Sequence, residues 1–279
     1  MTMVEWLLEP LSFGFIVRGL IAAVLVGIVC SVIGTYVVLR GMAFFGDALA
    51  HTILPGVVVA FLLGWPLVLG ALAMGVLTAL GIGALSGQGV IKEDTAIGVI
   101  FAGAFALGVA MLSTTGNYTI DLAHFLFGNL LGVSAADLWV IALLGSVVLG
   151  TIFLFYKEFL VLSFDPTLAV TLRLPTVFLR YLLLTLIAVT VVVALEVVGI
   201  TLVVAMLVTP AAAASLLTRR LWPRMLAAAA IGTFSAIAGL YASFYLNVAS
   251  GPAVVLAATG IFVLVFFLAP ERGIIWRKM

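Results

Sequence analysis

YLLLTLIAVTVVVALEVVGITLVVAMLVTPAAAASLLT, residues 181–218, decides the fold of this chain. The run is about twice as long as one spanning helix, which needs about 20 mostly apolar residues. Glu196 is its only charged residue, and Gly199 supplies a turn near the middle. Such a stretch reads as two membrane-spanning α-helices.

The pattern repeats on both sides. Residues 225–270 carry no charge, with a turn signal from Asn247 to Pro252. Residues 52–91 hold two further spans, broken at Gly64-Trp65-Pro66. Residues 19–39, 96–112 and 138–156 each allow one more. The expected fold is all-α: a polytopic transmembrane bundle of eight or nine helices, with residues 1–279 forming one membrane domain. A β-barrel would show short alternating segments, and the sequence has none.

Composition agrees. The 279 residues are 66% hydrophobic and 8% charged, against about 25% charged in soluble domains. A net charge of +1 gives no basic surface for nucleic acid. The single cysteine, Cys30, sits in an apolar run and has no intrachain partner for a disulfide. The leading MTMVEWLLEPLSFG is acidic ahead of the first apolar run, unlike a secretory signal. The first hydrophobic segment is therefore expected to stay as a span. Gly83 and Gly87 form a small-xxx-small pair suited to close helix packing.

Lysines and arginines set the orientation. Lys92, the Lys157 to Arg180 region, Arg219/Arg220/Arg224 and the tail Arg272/Arg277/Lys278 are all assigned to the cytoplasm, and two spans fit between consecutive clusters. Arg18 and Arg40 do not settle the N-terminal side; an odd span count places that end outside.

Ionisable groups at membrane depth are costly, so each is a functional candidate. The strongest lie in RGMAFFGDALAHTILPG, residues 40–56. Asp47 and His51 are spaced i,i+4 and share one face of a helix. A carboxylate oxygen and an imidazole nitrogen converging on one cation suit manganese, iron(II) or zinc. Pro55 has no N–H for the His51 carbonyl, which is then free to face a cavity. The alternative is a salt bridge between Asp47 and Arg40 beside a hydrogen-bonded histidine.

Other candidates carry open readings. Glu196 is either a pathway residue or a hydrated carboxylate near the outer turn at Gly199. Asp121 and His124, i,i+3 in a loop assigned to the outside, are either a second metal contact or a solvated pair. Pro210 frees the Met206 carbonyl, either at a broken transport helix or at a packing kink. Asp165-Pro166 and Pro175 bracket a short cytoplasmic helix over about residues 165–174, with Asp165 as N-cap and Pro166 in the first turn. It is either a docking element or a connecting loop. No GxxxxGK[ST] loop, HExxH or paired-cysteine motif occurs, so any energy source lies on another chain or in an ion gradient.

RGMAFFGDALAHTILPG, EDTAIG (residues 93–98), Leu126-Phe127-Gly128, the segment from Phe164 to Ala169, and Val198-Gly199 followed by MLVTPAA (residues 206–212) together resemble the manganese/zinc/iron permease family of ABC transporters. The resemblance implies a type II importer-like permease that is not itself an enzyme and holds no permanent cofactor. It implies a bacterial cytoplasmic membrane location, a second permease copy, separate ATPase subunits and an extracytoplasmic metal-binding protein. It places the metal site at Asp47 and His51, and ATPase coupling on the Asp165 helix, with Ala169 and Arg173. The GDALAH…LPG and MLVTP forms look more like manganese and iron members than zinc members. Arg173 stands where a glycine often closes the coupling helix, and no family role carries over to Glu196. The expected function is import of a divalent metal, first manganese(II), with iron(II), zinc(II) or a gradient-driven transporter as alternatives.

Overall fold

The computed structural model describes residues 8–87, 91–114 and 130–269. Its helices are α1 (Gly14–Leu39), α2 (Phe45–Thr52), α3 (Leu54–Leu62), α4 (Leu67–Gly87), α5 (Glu93–Ser113), α6 (Ala135–Leu154), α7 (Tyr156–Phe164), α8 (Pro166–Thr171), α9 (Thr176–Val198), α10 (Ile200–Leu217), α11 (Leu221–Leu246) and α12 (Ser250–Leu268). Among the described residues, nine helical segments are long and apolar enough to span a membrane, with α2 and α3 together making the second. Nine is the upper of the two expected counts.

The second span begins at Phe45, not at residue 52, and α5 begins at Glu93. A spanning backbone must hydrogen-bond within itself whatever its side chains carry. Helices therefore start where the preceding turn ends, and Asp47, His51 and Glu93 are all helical.

The turns follow local chemistry. Gly41 has φ 72°; its N–H reaches the Val38 carbonyl at 3.2 Å, and the Met42 N–H reaches Val37 at 2.9 Å. This paired closure of α1 puts one residue in the left-handed region, where glycine alone carries no side-chain penalty. Gly64, φ 67°, closes α3 in the same way, with the Trp65 N–H on the Ala60 carbonyl at 2.8 Å.

The chain forms two compact units. The first draws on residues 1–35, 127–147 and 197–279. In it α10, α11 and α12 pack against one another. Backbones touch where side chains vanish: a Cβ placed on Gly34 of α1 would lie 1.8 Å from the Leu207 carbonyl oxygen of α10. Pro210 lies inside an unbroken α10. The Met206 carbonyl that it deprives of a helical donor receives the Ser31 hydroxyl of α1 instead, at a long 3.5 Å. Pro210 thus leaves α10 continuous from Ile200 to Leu217.

The second unit comprises residues 36–126 and 148–196. There α3 packs on α4 and α5, and α2 packs on α5. Gly56 and Gly70 oppose each other so closely that a Cβ on either would meet the other's carbonyl oxygen at 2.2 or 2.1 Å. This contact draws α3 against α4.

Candidate functional site

Asp47 and His51 occupy the one open stripe of α2. Their helical neighbours Phe45, Gly46, Ala48, Leu49, Ala50 and Thr52 are all buried, whereas the Asp47 and His51 side chains are 40% and 35% exposed. His51 Nε2 lies 3.9 Å from Asp47 Oδ1. Two metal–ligand bonds of about 2.1 Å each span at most about 4.2 Å, so the gap is short enough for one ion to touch both atoms. Asp47 also sits in the first turn of α2, where the positive end of the helix dipole favours a carboxylate.

The helix breaks directly after the pair. Ile53 separates α2 from α3, Pro55 sits in the first turn of α3, and the Ile53 N–H points toward both the His51 and Leu49 carbonyls. The His51 carbonyl has lost its ordinary helical donor and keeps only this sharp local contact.

An aromatic wall stands beside the imidazole. The rings of Phe101 and Phe105, stacked on α5, lie 5.9 and 5.5 Å from the His51 ring, both edge-on. Phe44 packs edge-on against Phe101. These phenylalanines fix the ring plane of His51 through contact geometry. The sequence marks them only as apolar residues of a span.

The Asp47–Arg40 pairing does not form. Arg40 instead pairs with the Glu93 carboxylate at the start of α5, with Arg180 Nε 3.9 Å from the same oxygen. Burial lowers the Arg40 pKa from its ordinary value; Glu93 opposes that shift and Arg180 adds to it. Among the described residues, the basic side chain within 4 Å of the Asp47 carboxylate is His51, at 3.9 Å.

The remaining candidates are separate from this pair. Glu196 is half-buried near the end of α9, just before Gly199. Asp121 and His124 lie outside the described residues. No group of three or more His, Cys, Asp or Glu side chains converges among the described residues. Asp47 and His51 therefore stand as a pair, with no third such side chain beside them among the described residues.

The short helix expected over about residues 165–174 is α8, Pro166–Thr171. Asp165 Oδ1 accepts hydrogen bonds from the Thr167 and Leu168 N–H groups at 3.0 and 2.9 Å, the N-cap that its sequence predicts. Ala169 is buried, while Phe164, Leu168, Val170 and Leu172 are each about half exposed or more. Together these side chains make an exposed apolar patch on the connection between two spans. Arg173 has φ 55°; its N–H bonds the Val170 carbonyl and the Leu174 N–H bonds Ala169. Arginine thus occupies the left-handed closing position, and the helix end is intact.

The profile of the ABC 3 transport family matches residues 12–269. The chain is 48% identical over 269 residues to the "Manganese transport system membrane protein MntC" of Halalkalibacterium halodurans, covering 96% of this chain and 92% of that protein. It is 39% identical to the "Probable iron transport system membrane protein" of Haemophilus influenzae, covering 94% and 96%. Among solved structures, PsaBC from Streptococcus pneumoniae in complex with Fab superposes with a TM-score of 0.85 at 37% identity, over 100% of both chains.

Proposed function

This chain belongs to the ABC 3 transport family, and from that premise we propose that it is the membrane permease of an ATP-driven manganese(II) importer in the bacterial cytoplasmic membrane. The observation that carries the reading is the Asp47–His51 pair, partly open on the otherwise buried α2 of the second span. A multi-pass chain with a mixed oxygen and nitrogen pair suits a first-row divalent ion. Manganese is preferred to iron or zinc because the more similar relatives are named for manganese.

The ion is cargo, held transiently. Two side chains leave most of a six-ligand shell to water, backbone carbonyls or a second permease copy. A partly filled shell binds only moderately, as a permeating ion requires. The exposed apolar face of α8 docks on a separate ATPase chain, which hydrolyses ATP; an extracytoplasmic protein delivers the metal. Asp165, Ala169 and Arg173 shape that docking helix, and the whole chain serves as one permease.

The test is manganese uptake by the reconstituted permease–ATPase–binding-protein complex, comparing wild type with Asp47→Ala and His51→Ala. Each substitution should lower uptake by at least about tenfold, the scale on which metal affinity responds to loss of a supporting group. Undiminished uptake in both variants removes the ligand assignment. Competition by iron(II) and zinc(II) in the same assay ranks the metals.

A further inference from the structure

Glu93 sits where three segments of the second unit meet. Its Oε1 accepts a hydrogen bond from Arg40 Nη2, at the turn leading into α2, and lies 3.9 Å from Arg180 Nε, in the early part of α9. Arg180 Nη1 in turn donates to the Ser86 carbonyl near the end of α4 at 3.4 Å. The Arg40, Glu93 and Arg180 side chains are 10%, 20% and 26% exposed.

Two guanidiniums therefore contest one carboxylate in a largely buried place. Arg40 Nη1 and Arg180 Nε are each buried without a hydrogen-bond partner, and a buried unpaired donor is costly. A hydrogen bond needs about 2.9 Å, so a relative shift of about 1 Å between α9 and α5 would give Arg180 a full share of Glu93. The structure holds the arrangement weighted to Arg40; such a shift would move the carboxylate toward Arg180.

The cluster's connections give that shift a use. Arg180 follows α8 after only Leu172–Pro175 and the first residues of α9. Arg40 precedes the short turn into α2, which carries Asp47 and His51. The helix that Glu93 begins also carries Phe101 and Phe105, whose rings touch His51.

We propose that Glu93 is a positioning residue that relays movement of α8 to the Asp47–His51 pair, by shifting its carboxylate between Arg180 and Arg40. The inference rests on the reading of α8 as the ATPase contact and of Asp47–His51 as the metal pair. A two-state element that both ends bias is the physical requirement for such coupling.

The experiment uses the reconstituted complex and reads three quantities separately: manganese binding, ATP hydrolysis, and manganese taken up per ATP. The variants are Glu93→Gln, Glu93→Asp, Arg180→Met and, as a control on the metal pair, Asp47→Ala. Glu93→Gln and Arg180→Met should keep manganese binding and ATP hydrolysis within about twofold of wild type. Their uptake per ATP should fall about tenfold, inside the usual range of coupling between sites, while Glu93→Asp retains most of it. Removing a charge from a buried pair can prevent folding; if Glu93→Gln does not assemble, Arg180→Met, which leaves the Arg40–Glu93 pair intact, decides. Wild-type uptake per ATP in Arg180→Met overturns the proposal. So does its failure to assemble, or a fall in manganese binding that accounts for its lost uptake. If Asp47→Ala binds manganese like wild type, the metal-pair reading fails by itself, and the uptake ratio of Arg180→Met still judges Glu93.

Discussion

Replacing Gly34 with alanine tests the backbone contact that ties α1 to α10. The new Cβ would stand 1.8 Å from the Leu207 carbonyl oxygen and 2.9 Å from its carbon. A carbon settles at about 3.3 Å or more from a carbonyl oxygen, so the two helices must part locally by about 1.5 Å. Both colliding groups are attached to main chain, so rotamer changes cannot relieve the clash. The cost should reach the upper end of the overpacking range, about 3 kcal/mol. Alanine's better helix propensity returns up to about 1 kcal/mol. The net loss of about 2 kcal/mol corresponds to about a thirtyfold shift toward the unfolded state.

Equilibrium unfolding of the purified permease in mixed micelles of increasing SDS fraction measures this shift. Gly103→Ala is the control, because a Cβ there has nothing within 4 Å and should leave the midpoint unchanged or slightly higher. Leu207→Ala, which truncates a fully buried side chain, should not rescue Gly34→Ala, since the obstructing atom is main chain. An unchanged midpoint for Gly34→Ala, or a double variant more stable than the single one, refutes the reasoning.

Two further outcomes concern α8. Asp165→Ala removes the acceptor for two N–H groups and should cost that helix about 1 kcal/mol; faster amide exchange at Thr167 and Leu168 and weaker retention of the ATPase subunit would show it, and unchanged exchange would contradict the cap. Arg173→Gly should leave the closure intact, whereas Arg173→Val, a β-branched residue forced to positive φ, should loosen it. Limited proteolysis between residues 165 and 175 separates the two, and equal cleavage rates would argue against strain at this position.

Much of the fold is legible in the sequence because its determinants are local. A charge-free run, Gly64-Trp65-Pro66 and Asn247 each act within a few residues, through hydropathy, steric limits on φ and missing donors. The Asp47–His51 pairing is equally local, since helical spacing alone brings the two side chains to one face. The α8 cap at Asp165 is legible for the same reason.

What lies around that pair is not local. Arg40 could pair with the nearby Asp47 or with a distant carboxylate; its partner, Glu93, is 53 residues away, and no hydropathy pattern records the choice. Phe101 and Phe105 look like any lipid-facing phenylalanines until α5 is set beside α2. The Met206 carbonyl is plainly freed by Pro210, yet only packing supplies Ser31 as its donor.

The sequence by itself determined that residues 181–218 and their counterparts span a membrane as helices, and that one carboxylate and one imidazole share a face of the second span. Tertiary structure alone decided that this face stays half open, that aromatic rings flank its imidazole, and that Glu93 joins Arg40 to Arg180. Spanning helices form from their own backbone hydrogen bonds, whereas a site needs side chains from several helices, and packing between helices chooses which ones meet.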